Sequence, residues 1–179
     1  MIYLSQFIFP SIQAEESFLH KIKETCYTTV YPFQILPEHD IRVFNFDDPI
    51  TILYGGNGSG KTTVLNVIAE KLSLKRDTLY NRTNFFENFT GFCEYVPERE
   101  LPENSLSPER QQELVQFIED SIRFFGCQFV IATHSPFLLS MQNAKIYNLD
   151  EEPMRVCHWT DLPNIRAYYN FFKQHEDEF

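Results

Sequence analysis

Apolar residues recur along the chain at two spacings, and the change from one spacing to the other divides it into strands and helices. Ile2, Tyr3, Leu4, Phe7, Ile8 and Phe9 favour an extended run that Pro10 ends, which predicts a first strand over 2–9. Between Ala14 and Cys26 the residues Phe18, Leu19, Ile22 and Cys26 fall on one helical face, and Pro32 and Pro37 then mark a loop. Two short strands follow. In 41–46, Ile41 and Val43 share one face and Phe44 and Phe46 the other, whereas 50–54 is a nearly continuous apolar run that ends in glycines. Val64, Leu65, Ile68 and Leu72 return at helical spacing, predicting a helix over about 61–74.

The polar and aromatic stretch 77–90 has no clear period, and core packing is the expected use of Phe85, Phe86 and Phe89. Phe92 to Val96 reads as a short strand before Pro97. Ser107 as N-cap, Pro108 at the first helical position, a stripe of Leu114, Val115, Ile118, Ile122 and Phe125, and Gly126 past the end together define a helix. Phe129 to Ala132 reads as a strand buried on both faces, ending at Thr133-His134-Ser135-Pro136 and followed by a short helix. Strands near 145–149 and 155–159 and a helix over 163–172 carrying Ile165, Tyr169 and Phe172 complete the pattern, with a frayed acidic tail over 175–179. The alternation of strands and helices predicts one α/β domain over residues 1–179.

Composition narrows this reading. With 43% hydrophobic and 22% charged residues the chain has the balance of a folded globular protein. No run approaches the roughly 20 apolar residues that span a bilayer, and the apolar N-terminus lacks a basic flank, so a cytoplasmic location is expected. The net charge of -10 disfavours a broad nucleic-acid surface, which needs clustered Lys and Arg, although a local basic patch stays open. Cys26, Cys93, Cys127 and Cys157 form no C-x-x-C, and buried thiols are expected in preference to disulfides or a zinc site.

The strongest chemical signal lies between the 50–54 strand and the next helix. Gly55-Gly56-Asn57-Gly58-Ser59-Gly60-Lys61-Thr62 fits G-x-x-x-x-G-K-[ST], the phosphate-binding loop. Such a loop must turn backbone N–H groups inward at a polyphosphate, and residues without a Cβ tolerate the dihedrals and the close approach. The helix opening near Lys61 adds the partial positive charge of its N-terminus, Lys61 reaches the outer phosphates, and the Thr62 hydroxyl is placed to ligate Mg²⁺. The ligand so predicted is a polyphosphate with Mg²⁺, held by residues 55–62 and the adjoining Thr63. A glycine-rich turn before a helix is the plainer alternative, but it has no need of Lys61.

Tyr54 to Thr63 opening a helix, Pro102-Glu103-Asn104-Ser105-Leu106-Ser107-Pro108 before a second helix, and then Phe129 to Pro136 resemble small bacterial ABC-type ATPases, commonly labelled AAA family ATPases. The resemblance covers both ends of the chain and is most specific in the phosphate loop and the Thr-His-Ser-Pro segment. It implies a P-loop sheet with flanking helices, and it places the strand before His134 beside the strand before Gly55. It implies ATP hydrolysis, with His134 contacting the γ-phosphate, and a possible homodimer closed over nucleotide. A histidine that only packs on the next helix is the alternative reading of His134.

The sequence also departs from that family. Lys61 and His134 stand only 73 positions apart, too close for a signature subdomain and an acidic strand, so the fold is expected in reduced form. If Pro102 matches the family's proline, Glu100 falls at the metal-associated Asp and Leu101 at the water-activating Glu. The missing strand would lie beyond the other two. Glu98 and Glu100 are then the nearest acids, with Phe92 to Val96 as a substitute strand delivering them or, alternatively, a solvated loop around Arg99. Leu149-Asp150-Glu151 imitates an acidic strand end but follows the histidine, where the family has an ordinary strand. Two functions remain: an ATPase using His134 and Glu100, and a nucleotide-dependent interaction module that does not hydrolyse.

Overall fold

The computed structural model describes residues 2–22, 29–37, 41–74, 82–98 and 111–178. In chain order these form β1 (Leu4–Ile8), α1 (Ile12–Lys21), β2 (Val43–Asn45), β3 (Ile50–Tyr54), α2 (Lys61–Lys71), α3 (Phe86–Phe92), β4 (Glu94–Pro97), α4 (Gln111–Phe125), β5 (Phe129–Ala132), α5 (Pro136–Leu139), β6 (Ala144–Asn148), β7 (Arg155–Cys157) and α6 (Pro163–Gln174). They make two sheets. The order β2-β1-β4 is antiparallel throughout, and in β5-β3-β6-β7 the first three strands are parallel and β7 is antiparallel to β6. The fold is a mixed α/β sheet flanked by helices, as in P-loop NTPases.

β3 is central because each of its five residues, including Thr51, is buried. Period-2 alternation sends Ile50, Ile52 and Tyr54 into one core cluster with Ile118 of α4, Leu138 and Leu139 of α5, Ile146, Leu162 and Ile165. Leu53 faces the other cluster, where Val64, Val67 and Ile68 of α2 meet Phe7, Phe9, Phe33, Phe44, Phe46, Phe85, Phe86 and Phe89. A strand covered on both faces reads as a continuous apolar run, which is why 50–54 does. The sheets are joined through side chains. The Gln128 amide acts as an extra strand residue for β1, Oε1 accepting from Tyr3 N and Leu4 N at 3.0 and 2.9 Å while Nε2 donates to Leu4 O at 2.9 Å. Tyr147 of β6 donates its hydroxyl to Asn45 O at 2.9 Å, anchoring β2.

Several expectations are corrected. α1 begins at Ile12, because the Ser11 hydroxyl accepts from Ala14 N at 3.2 Å and caps it; it stops at Lys21, and Ile22 is already extended. Residues 23–28, with Cys26, lie outside the described residues. The aromatic stretch contains α3, whose Phe86 and Phe89 are wholly buried beside Phe85. β5 is half-buried along its length instead of buried on both faces, because it borders β3 on one side only among the described strands. Phe125 of α4 is 75% exposed, and Tyr169 and Phe172 of α6 also face outward, leaving Ile165 as the anchor of that helix. Trp159 leaves the last strand for a 3₁₀ turn, and a second such turn over Glu176–Glu178 occupies the acidic tail.

β4 pairs antiparallel with β1, with Phe7 opposite Tyr95. The strand expected over 92–96 is thus present as β4, beginning two residues later, but it lies in the sheet of β1 and β2, away from β5; Glu98 follows it there, and Glu100 lies outside the described residues. Among the described residues Cys93, Cys127 and Cys157 are free, and burial pushes the Cys93 thiol up to about 12. No described helix is long and apolar enough to cross a membrane.

Candidate functional site

The parallel register Leu53 to Ala132 and Leu53 to Tyr147 brings the carboxyl ends of β5, β3 and β6 to one rim. Open α/β sheets bind ligands at this rim. The loop 55–60 rises from β3 there and closes onto α2. Gly55, Gly58 and Gly60 have φ of 154°, 92° and 85°, which side chains rarely allow. Gly55 is further constrained, since a Cβ there would stand 2.4 Å from Ser59 Oγ and 3.1 Å from Asp150 Oδ1. At Gly58 a Cβ would meet nothing within 4 Å, so the crest of the loop is open to a ligand.

Lys61 folds back beneath that crest. Its ammonium donates to Gly55 O at 2.5 Å, Gly56 O at 2.6 Å and Ser59 Oγ at 3.3 Å. Burial lowers the Lys61 pKa, and the nearby Asp150 carboxylate counteracts the shift. Gly60 is the N-cap of α2, its carbonyl accepting from Val64 N at 2.9 Å, and the amides of Lys61, Thr62 and Thr63 precede any carbonyl of the helix that they could reach. The Thr62 side chain is exposed at this end, whereas Thr63 is buried and its Oγ1 accepts from the Tyr31 hydroxyl at 3.3 Å.

A second wall comes from a turn over residues 31–36. Phe33 and Leu36 are buried, and Leu36 approaches Gly60 so closely that a Cβ there would lie 3.2 Å from Leu36 Cδ2. Glu15 of α1 holds this turn, accepting from Gln34 N at 2.7 Å, and burial pushes its carboxyl up to about 6. Such a carboxylate costs stability as pH rises from its unfolded value of 4.5 through 6, because the folded state binds the extra proton over that interval. The sequence gives no hint that α1 supports the loop.

His134 follows β5 at the same rim. Thr133 N donates to Leu53 O at 3.4 Å, and the His134 ring stands edge-on to Tyr54 with centroids 5.3 Å apart. Its side chain is exposed, and its carbonyl accepts from Asn164 Nδ2 at 3.3 Å. The residue beside His134 thus leads directly into the phosphate loop. Glu100, Leu101, Pro102 and the Ser107-Pro108 cap lie outside the described residues, and Glu98 sits past β4 in the other sheet, its N–H donating to Tyr3 O at 2.7 Å.

Asp150, set aside by sequence reasoning, is on the site. Both carboxylate oxygens accept from Gly56 N, at 2.7 and 2.8 Å. Glu151 points elsewhere, accepting from Asn148 Nδ2 at 3.0 Å and pairing with Arg155. No cluster of three or more His, Cys, Asp or Glu side chains suited to a metal exists among the described residues. A cation here would therefore rest on the Thr62 hydroxyl and on oxygens of a bound phosphate. A cavity of about 260 Å³ lies at the opposite end of the second sheet, lined by Met141, Ala144, Cys157 and Trp159, and takes no part in this arrangement.

A model of the family described as AAA domain matches residues 33–89, a segment running from the Phe33 turn through β3, the loop and α2 into α3. No curated protein and no solved structure shows a significant match to the chain. The matched segment contains the whole phosphate loop with the strand and helix that frame it, and it supports an AAA-type P-loop ATPase-like domain.

Proposed function

We propose that the chain binds ATP with Mg²⁺ at the loop 55–63. The observation that carries this reading is the Lys61 ammonium, gathered by two loop carbonyls beneath an open glycine crest at the N-terminus of α2. Gly55 to Gly60 supply the loop conformations, and the amides of Lys61, Thr62 and Thr63 at the start of α2 supply donors for a polyphosphate while Gly56 N stays on Asp150. Lys61 adds the counter-charge, and Thr62 an exposed hydroxyl for the cation. ATP presents the β- and γ-phosphates that such a loop fits, and bound Mg²⁺ supplies charge neutralisation of those phosphates. Thr63, whose hydroxyl is engaged by Tyr31, holds the first turn of α2 in place.

His134, exposed on the adjoining strand end against Tyr54, is the γ-phosphate sensor in this reading. Whether binding leads to hydrolysis turns on an acid able to orient water. A specific observation favours the module that binds without turnover: Asp150 is spent on Gly56 N, and Glu151 on Asn148 and Arg155. Glu100 is then the acid left for an ATPase. The expected turnover of the purified chain is well below the ordinary enzyme range of roughly 1 per second. A phosphate-release assay checks this. Turnover at or above that rate, abolished by both Lys61→Ala and Glu100→Gln, would establish the ATPase and place Glu100 in its chemistry.

A further inference from the structure

Asp150 lies outside the phosphate-binding residues assigned above, and its contact with Gly56 acts on a pliable part of the loop. The peptide unit joining Gly55 to Gly56 has no Cβ on either side, so little steric resistance opposes its flipping. It is trans, and in a trans peptide the N–H and the C=O point in opposite directions. Here the N–H of that unit donates to Asp150, while its C=O, that of Gly55, accepts from Lys61 Nζ at 2.5 Å. A carboxylate gripping one end of the plane fixes where the other end aims.

Asp150 is itself firmly placed. β6 runs beside β3, Leu149 N donates to Tyr54 O at 2.8 Å, and Asp150 N donates to the side chain of buried Asn148 at 3.1 Å. The turn after β6 is thus registered against the residue before Gly55. An isolated carboxylate beside a polyphosphate site would otherwise only repel the ligand.

We propose that Asp150 is a positioning residue of the phosphate loop, locking the Gly55–Gly56 peptide so that its carbonyl holds the Lys61 ammonium beneath the phosphates. The inference rests on the nucleotide-binding reading and adds a residue to it. The two effects of Asp150 have opposite signs, which makes them separable. If the carboxylate merely stands nearby, its removal takes a negative charge from the site and tightens ATP binding. If it positions the loop, loss of the acceptor lets the peptide turn and weakens binding.

The test is calorimetric titration of Mg-ATP into the full chain, the Asp150→Leu variant and the Asp150→Asn variant, with melting temperatures recorded without nucleotide. Asp150→Leu, of similar size but without an acceptor, is expected to bind about 10-fold more weakly. Asp150→Asn keeps an oxygen for Gly56 N–H and loses the charge, so it should bind as tightly as the parent or more tightly. Equal or tighter binding by Asp150→Leu overturns the proposal, and so does a loss in Asp150→Asn as large as in Asp150→Leu. A parent that binds no Mg-ATP overturns the nucleotide reading and this inference together, whereas a binding parent with an indifferent Leu variant overturns this inference alone. Hydrogen exchange at Gly56 in the nucleotide-free parent gives a check that needs no variant: the amide should be protected about 10-fold or more over an unstructured chain, and exchange at the unstructured rate overturns the proposal.

Discussion

Lys61→Ala should weaken Mg-ATP binding about 100-fold, the loss of roughly 3 kcal/mol expected when a charge-assisted contact to phosphate disappears from a loop whose other donors are neutral. The ammonium is held by Gly55 O, Gly56 O and Ser59 Oγ, all within the loop, so the substitution removes no contact to the hydrophobic core. The nucleotide-free melting temperature should accordingly change little, which separates a lost ligand contact from a lost fold. Calorimetry on parent and variant reads the first quantity and thermal denaturation the second. Equal affinity in both proteins would remove Lys61 from the site.

The largest effect on stability is expected from Phe33→Ala. Phe33 is 1% exposed, stacks on Phe18 of α1 with centroids 5.0 Å apart, and meets Phe89 edge-on at 5.0 Å, with Phe85 and Phe92 at 6.5 and 6.4 Å. It joins α1, the 31–36 turn and α3, three pieces with little backbone pairing between them. Deleting a buried aromatic ring costs about 3–5 kcal/mol in transfer and cavity terms, which lowers the melting temperature of a chain this size by roughly 10 °C or more. Phe125→Ala, at an exposed position of α4, serves as control and should shift it by little. Because Leu36 of the same turn packs against Gly60, Phe33→Ala should also loosen the phosphate loop and reduce ATP affinity. Comparable melting temperatures for Phe33→Ala and Phe125→Ala would contradict this account of the core.

How much of this was legible beforehand varies with the element. The loop and its framing strand and helix are local: the nearly continuous apolar run of 50–54, glycines where positive φ is needed and a helical stripe after Lys61 all lie within about 25 residues. Gly126, at φ 65° with its N–H donating to Ile122 O, ends α4 where the pattern places a C′ glycine. α3 was illegible because Phe86-Glu-Asn-Phe-Thr-Gly-Phe92 has few strong helix formers, and burial of its rings against Phe33 decides its conformation. The run Phe129 to Ala132 looks the same whether a strand is central or at a border, since sequence does not show which neighbours a strand has. Pairing of β1 with β4 rests on contacts across about 90 residues and leaves no short-range trace. The role of Asp150 was hidden for the same reason: its signal is the adjacency of β6 and β3, which only the folded sheet supplies.

The central claim is that this loop receives a nucleoside triphosphate, and the most direct measurement is a calorimetric titration of Mg-ATP into the purified full chain. The account predicts saturable binding of one nucleotide per chain. A flat titration at protein concentrations of about 100 μM, with ligand carried to about 1 mM and the chain shown to be folded, would mean affinity weaker than roughly 4 kcal/mol of binding free energy and would contradict it.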